Sequence, residues 1–290
     1  MTKIKKCPNC EKKQFSTIYR LEKFSILECS QCALRLRSMS LKQAKIKKLY
    51  TKNYFIKEQK DYFASCLGKI NPKDFRIKDF NQRLEALKSL SQSRSKKLLD
   101  IGCATGTFIK LANVKGFQAE GFDISSYAVS RAKKQKLKVR IDSIESYRPM
   151  GKKFNFITAW EVIPNFENPN LAFRKIKNML AKDGILAIQL TVIDSLIFYL
   201  SHLIYKLSLG KFKLLIQNGY PINHRTHFSR STLKKFLSKH GFKIIKQQNI
   251  EFNYQYSKMP KIILPFLNLI GFISKKVNRT TQYRIFAKLK

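Results

Sequence analysis

The stretch that decides the fold is KLLDIGCATGTFIKLANVKGFQAEGFD, residues 97–123. Leu98, Leu99 and Ile101 make a short apolar run around Asp100. The glycine-bounded turn Gly102-Cys103-Ala104-Thr105-Gly106 follows, then the helix-like TFIKLA, then a second apolar run that stops at Asp123. A buried parallel strand feeding a tight glycine turn sets a helix N-terminus at the edge of a sheet. An acid at the tip of the next strand can accept hydrogen bonds from both hydroxyls of a ribose. The dinucleotide pattern G-x-G-x-x-G is not met, because Ala104 stands where its middle glycine belongs. A nucleoside without a pyrophosphate asks less of this turn.

Outward from this stretch the pattern keeps alternating. Strands are expected near 97–102, 117–122, 138–141, 154–159 and 184–190, with helices at 106–114, 126–135 and 170–181. Alternation of this kind means a doubly wound, mostly parallel sheet, whose ligands bind at the carboxyl ends of the strands. Gly102, Asp123, Asp142 and Trp160 fall at those ends. The polar run SQSRSKK at 91–97 makes a natural boundary. The expected organisation is therefore a cysteine module over 1–38, a helical linker or cap over 39–92, and the main domain over 93–290.

DIGCATGTF followed by GFDIS resembles the first two motifs of class I S-adenosylmethionine-dependent methyltransferases. The resemblance implies a Rossmann-like class I methyltransferase fold with an antiparallel last strand, here YRIFAKLK at 283–290, and S-adenosylmethionine as cofactor. Asp100, Gly102 and Gly106 match the family's D-x-G-x-x-x-G loop, which with Cys103 and Ala104 would contact the amino-acid half of the cofactor. Asp123, with Ile124, matches the ribose-binding acid. Asp142-Ser143-Ile144 stands where members hold the adenine. A nucleotide-sugar or NAD domain, or a chance glycine turn, is the competing reading.

FNFITAWEVIPNFENP at 154–169 resembles the family's fourth-strand motif, so Trp160 and Glu161 would lie at the cofactor's methionine end. As the only tryptophan, Trp160 serves equally as a core anchor. The usual histidine of that loop is replaced by Pro164-Asn165, which leaves Glu161 alone there. LYTKNYF at 49–55 resembles a segment that closes over the cofactor in some bacterial members, although a plain linker helix has the same pattern. LAKDGILAIQL at 180–190 resembles the helix, turn and fifth strand, with Asp183-Gly184 as the turn. His227-Phe228-Ser229, then a helix, then Gly241-Phe242, resembles a bacterial subfamily in which the histidine faces the pocket. His227 is the first candidate base and His224 the second; Ser229 also reads as a helix N-cap.

Four of the six cysteines form Cys7-Pro8-Asn9-Cys10 and Cys29-Ser30-Gln31-Cys32. Paired C-x-x-C knuckles at this separation are the spacing of a zinc ribbon, with four thiolates around a structural Zn2+; disulfides or free thiols are the alternative, and a reducing compartment argues against the disulfides. Four thiolates close the coordination shell, which argues against a catalytic metal. Cys66 and Cys103 are isolated and read as small packed side chains.

The chain has 58 Lys and Arg against 18 Asp and Glu, a net charge of +40, and after Asp194 its only acid is Glu251. Such a field attracts nucleic acid, anionic lipid or a phosphorylated substrate. An AT-rich genome yields the same composition without functional demand. Two apolar inserts, near 192–222 and 258–278, suit a lid or an interfacial helix over a small-molecule, sugar or lipid-linked acceptor. A buried helix fits the first equally, and Pro260, Pro265 and Gly271 argue against a long helix in the second. No apolar run spans a bilayer and no signal peptide opens the chain, so the expectation is a cytoplasmic enzyme with an anionic membrane surface as candidate partner. The rival is an RNA-binding or adaptor protein, or an RNA methyltransferase, on the same fold. Oligomeric state is not legible.

Overall fold

A computed structural model of the chain describes residues 2–40, 43–58, 70–256 and 261–290. Residues 59–69, Cys66 among them, and residues 257–260 of the second insert lie outside the described residues. The chain divides into two compact units, one of 1–42, 163–167 and 189–285, the other of 43–162, 168–188 and 286–290.

Strands β6 (Lys97–Ile101), β7 (Gln118–Asp123), β8 (Val139–Ile141), β9 (Phe154–Trp160), β10 (Leu180–Thr191), β12 (Phe242–Ile250) and β13 (Gln282–Leu289) form one seven-stranded sheet. Its order is β12-β13-β10-β9-β6-β7-β8. β6 lies parallel between β7 and β9, pairing Asp100 with Gly121 on one side and with Thr158 on the other. The sheet is mostly parallel, and its last strand, β13, runs antiparallel. Helices Phe75–Leu90, Thr107–Val114, Ser126–Lys134 and Pro169–Met179 belong to this second unit. The first three contribute to a core of Ile77, Leu84, Leu87, Leu98, Phe108, Ile109, Ala112, Phe156, Ile185 and Phe286, with Val129 and Ala132 from the third, and Pro169–Met179 buries Ala172, Phe173, Ile176 and Met179. The β strands inside it read as apolar runs because both faces are covered.

The turn expected at Asp183-Gly184 lies inside the range of β10, which begins at Leu180 directly after the preceding helix. Gly184 is packed hard on Leu180 and the Ala181 carbonyl: a Cβ there would lie 2.8 and 2.9 Å from them.

In the first unit, β2 (Phe15–Arg20), β3 (Ser25–Cys29), β4 (Arg35–Arg37) and β11 (Thr226–His227) make a second sheet in the order β11-β4-β3-β2. The cysteine module is therefore not a free-standing ribbon; a strand from two hundred residues further on completes its sheet. Tyr19 and Ile26 share a core with Ile193, Phe198, Ile216 and Tyr220.

Both apolar inserts are helical. Helix Leu196–Leu207 buries Phe198 and Ser201, while Tyr199, Leu203, Ile204 and Leu207 face solvent. Helix Leu264–Lys276 forms in spite of its proline and glycine. Pro265 sits in the first turn, where a missing N–H is no loss. Gly271 faces Tyr254 and Glu251, which a Cβ would approach to 3.1 and 3.2 Å. Among the described residues no helix is long and apolar enough to cross a membrane.

Candidate functional site

The turn after β6 is fixed by backbone bonds to β7: the Gly102 and Cys103 N–H groups both donate to the Phe122 carbonyl, at 2.9 and 3.1 Å. Gly102, Ala104 and Gly106 all take positive φ, 74°, 47° and 78°. At Gly106 the need is steric as well, since a Cβ would lie 2.6 Å from Leu137 and 3.0 Å from Ala132. Helix Thr107–Val114 then starts at a left-handed glycine with no side-chain cap, which leaves its positive end available to a ligand.

Asp123 closes this turn. Its Oδ2 accepts the Ala104 N–H at 2.9 Å and its Oδ1 accepts the Ser125 N–H at 2.8 Å. Ser125 caps helix Ser126–Lys134 and its hydroxyl donates to the Tyr50 carbonyl at 2.7 Å. The 49–55 segment is thereby tied to the tip of β7, with Phe55 buried and its ring 5.6 Å from Tyr127. A π-helical turn, Tyr54–Glu58, continues it. At the end of β8 the Asp142 N–H donates to the Asp123 carbonyl at 3.1 Å. Asp142 Oδ1 accepts the Ser143 N–H at 2.9 Å and the Ser146 hydroxyl, and Ile144 is buried.

Asp100 is buried one strand over and accepts the Thr158 hydroxyl at 2.6 Å. Burial pushes its carboxyl up to about 7, against the opposing pull of that hydroxyl and of the Arg83 guanidinium. Burial raises Asp123 as well, against the backbone N–H groups around it. Trp160 packs edge-on to Phe108 at 5.4 Å and lies under Arg83 at 4.5 Å, and its indole N–H has no partner among the described residues. It is thus a core anchor that keeps one polar atom uncommitted. Glu161, which follows, takes φ 56°, a strained value for a side chain of this size.

The Asp100 shift has a stability consequence whose sign is definite. The folded chain holds a proton between the ordinary carboxylate value of 3.8 and about 7 that the unfolded chain releases. Stability therefore falls as pH rises through that window and levels off above it. Asp100→Asn should remove the loss, on the order of 4 kcal/mol at most. Melting curves should separate steadily from pH 4 to pH 7 and run parallel above it; parallel curves throughout that window for variant and wild type would refute the buried, protonated carboxyl.

The sequence placed His227 and His224 near the acceptor, and the structure sets both in the first unit. His227 is 4% exposed on β11, with its Nε2 unpartnered among the described residues. The two rings are 5.8 Å apart. Burial, with His224, Arg37 and Arg35 beside it, holds His227 well below the usual imidazole range, and burial with Arg37 holds His224 down to about 4. Both are neutral at pH 7. Pro164-Asn165 is occupied structurally: the Pro164 carbonyl accepts the Arg225 N–H at 2.7 Å, and Asn165 accepts from Asn223 at 3.1 Å.

Cys7, Cys10, Cys29 and Cys32 bring their Sγ atoms within 4.8 Å of one another. The shortest separations are 3.5 Å for Cys7–Cys32 and 3.4 Å for Cys10–Cys29. A tetrahedral metal with sulfur ligands at about 2.3 Å spaces them about 3.8 Å apart. The two knuckles also repeat one backbone pattern. Glu11 N–H donates to the Cys7 carbonyl at 2.8 Å and Ala33 N–H to the Cys29 carbonyl at 2.9 Å, with Glu11 and Ala33 at φ 64° and 58°. The residues fit a closed four-thiolate metal centre.

Several members of these sites carried no readable signal. Arg83 lies one heptad from Arg76 on a helix whose remaining face is polar, so only its burial marks it. Thr158 sits mid-strand in an apolar run, and Arg37 sits in a short basic strand that looks solvated.

Residues 75–247, more than half of the chain, match the model of a family described as a methyltransferase domain. Solved structures give the same fold. A magnesium protoporphyrin IX methyltransferase from Synechocystis PCC 6803 with bound SAH superposes with TM-score 0.56 at 13% identity, covering 86% of this chain and 100% of that one. A possible histamine N-methyltransferase from Thermotoga maritima gives 0.54 at 17%, covering 84% and 100%. An S-adenosylmethionine-dependent methyltransferase from Clostridium acetobutylicum ATCC 824 gives 0.51 at 15%, covering 79% and 98%. At such identities the likeness is one of fold. No curated protein matches the sequence.

Proposed function

The chain belongs to the methyltransferase-domain family, and from that membership we propose that it transfers the methyl group of S-adenosylmethionine to a small-molecule, sugar or lipid-linked acceptor. The observation that carries this reading is Asp123, held at the tip of β7 by the Ala104 and Ser125 N–H groups beside a glycine turn and an uncapped helix start. The carboxylate has about four acceptor sites, so it keeps capacity for a ribose hydroxyl beside these backbone donors. Gly102, Cys103, Ala104 and Gly106 give backbone access to the amino-acid half of the cofactor. Asp142, Ser143 and Ile144 hold the adenine side, and Trp160 lines the methionine end.

The cofactor supplies an activated methyl on a sulfonium. The protein's work is alignment and exclusion of water. A hydroxyl acceptor needs a base, for which Glu161, His224 and His227 are the candidates, whereas a neutral amine needs none. The burial of His227 favours substrate binding over proton transfer. Zinc suits the four thiolates, as a structural ion. Calorimetric titration of the full chain with S-adenosylmethionine tests the reading: saturable binding of one molecule per chain is expected, and no heat under any condition would sink it.

The lipid-linked branch is supported by the outer face of the two insert helices, which lie against each other. Ile262, Phe266, Leu269 and Ile273 recur at helical spacing on that face, with Ile262 88% and Phe266 63% exposed. Leu207 and Leu209 add 76% and 88% exposed side chains. Lys206, Lys211, Lys213, Lys261, Lys275 and Lys276 flank them, and the single acid after Asp194, Glu251, is engaged by Tyr254 and Thr281. Apolar residues inside a ring of lysines match an anionic bilayer better than RNA. Flotation should recover at least tenfold more protein on phosphatidylglycerol vesicles than on neutral ones, and Phe266→Ser with Leu207→Ser should abolish the difference. Equal recovery on both vesicles would remove the electrostatic argument.

A further inference from the structure

Strands β4 and β11 concentrate positive charge on one face. Their register pairs His227 with Arg35 and Thr226 with Leu36, and the Arg37 N–H donates to the Arg225 carbonyl at 3.1 Å. Side chains alternate along a strand, so Arg35, Arg37, Arg225 and His227 share a face while Leu36 and Thr226 take the other. Two of the three guanidinium groups have carboxylates: Arg35 pairs with Glu28 at 2.8 Å and Arg225 with Glu167 at 3.6 Å. Arg37 has none among the described residues. It is 1% exposed, its Nε donates to the Met39 carbonyl at 2.8 Å, and both Nη atoms lack a hydrogen-bond partner there. His227 Nε2, on the same face, is in the same condition.

A water can satisfy hydrogen bonds but cannot offset a charge. The Phe24 ring, 5.4 Å from the Arg37 guanidinium, offsets part of the charge at most, and a guanidinium this deep stays destabilising unless a counter-ion meets it. Its two Nη atoms form the planar fork that matches a carboxylate or a phosphate. A carboxylate would spend both oxygens on that fork. A phosphoryl group keeps further oxygens for the imidazole of His227 and for His224 beside it. We infer that Arg37, with His227 and His224, binds a phosphoryl group, and, on the reading of the chain as a methyltransferase, that this group is carried by the methyl acceptor. The acceptor class becomes a phosphorylated molecule, soluble or lipid.

Binding is read on the full, metal-loaded chain without S-adenosylmethionine, so the result stands or falls apart from the methyltransferase reading. The four histidines give four resolvable imidazole signals by nitrogen NMR. Inorganic phosphate should move His224 and His227 saturably and raise the melting midpoint, while acetate should do so at least tenfold more weakly. Short-chain phosphatidic acid below its micelle threshold, compared with glycerol phosphate, separates the sources: equal binding assigns a soluble phosphate, tighter binding by the lipid a headgroup. Arg37→Met should weaken phosphate at least tenfold and melt no lower than wild type in phosphate-free buffer. Arg37→Lys, which keeps charge and packing, should fold and bind several-fold more weakly. No saturable shift at His224 and His227, or an Arg37→Met variant that binds phosphate as wild type does, would overturn the inference.

Discussion

Replacing Asp123 with alanine should weaken S-adenosylmethionine binding by a factor on the order of 100 or more, with methyl transfer falling in step. A charge-assisted hydrogen bond contributes roughly 1.5–3 kcal/mol, and two ribose hydroxyls on one carboxylate carry the loss past that factor. The substitution also strips the Ala104 and Ser125 N–H groups of their acceptor, so the turn that holds the cofactor loosens. Asp123→Asn separates the two effects, because its carbonyl oxygen keeps one of those backbone bonds while the charge is gone. It should bind with intermediate affinity and melt closer to wild type. Calorimetry below both melting midpoints is the measurement. Undiminished binding by the alanine variant would remove Asp123 from the ribose and with it the main support for the proposed activity.

The parts of this molecule that could be read from its sequence are those where one residue type is required by backbone geometry or by periodicity. Gly102 and Gly106 announce a turn because only glycine tolerates their φ so close to Val162 and Leu137, and the β6–β7 alternation follows from burial on both faces. The cysteine spacing was legible for the same reason: ligand geometry fixes it. What escaped depends on partners distant in the chain. Nothing at residues 35–37 says that β11 will lie beside them, and nothing in the pattern Arg35-Leu36-Arg37 signals that Arg37 is buried. Arg83 was hidden likewise, since its partner Trp160 is far along the chain. Pro265 and Gly271 misled in the opposite sense, because first-turn placement and the Tyr254 contact neutralise their usual helix-breaking effect.

Stripping the metal with a strong chelator should unfold the cysteine module and carry its effect to β11. The four Sγ atoms gather from one knuckle before β2 and one that starts at the last residue of β3, so an ion bound there would close a loop that the small core of Tyr19, Ile26, Leu34 and Leu36 must otherwise hold. Structural zinc sites in small peptides release on the order of 10 kcal/mol on binding. Here part of that energy is replaced by packing against Phe198, Ile216 and Tyr220, so a fall of about 10 °C in the melting midpoint is expected. One zinc per chain should appear in a metal-indicator assay, and four thiols should become reactive together. Cys29→Ser, at a buried ligand position, should reproduce the loss without chelator. β4 pairs with β11 through Leu36 and Arg35, so the same treatment should broaden the His227 imidazole signal and weaken phosphate binding at Arg37, although no ligand sulfur touches either residue. A chain that keeps its melting curve and its His227 signal after complete zinc removal would show that the knuckles stand on packing alone and that the ion is dispensable to the Arg37 face.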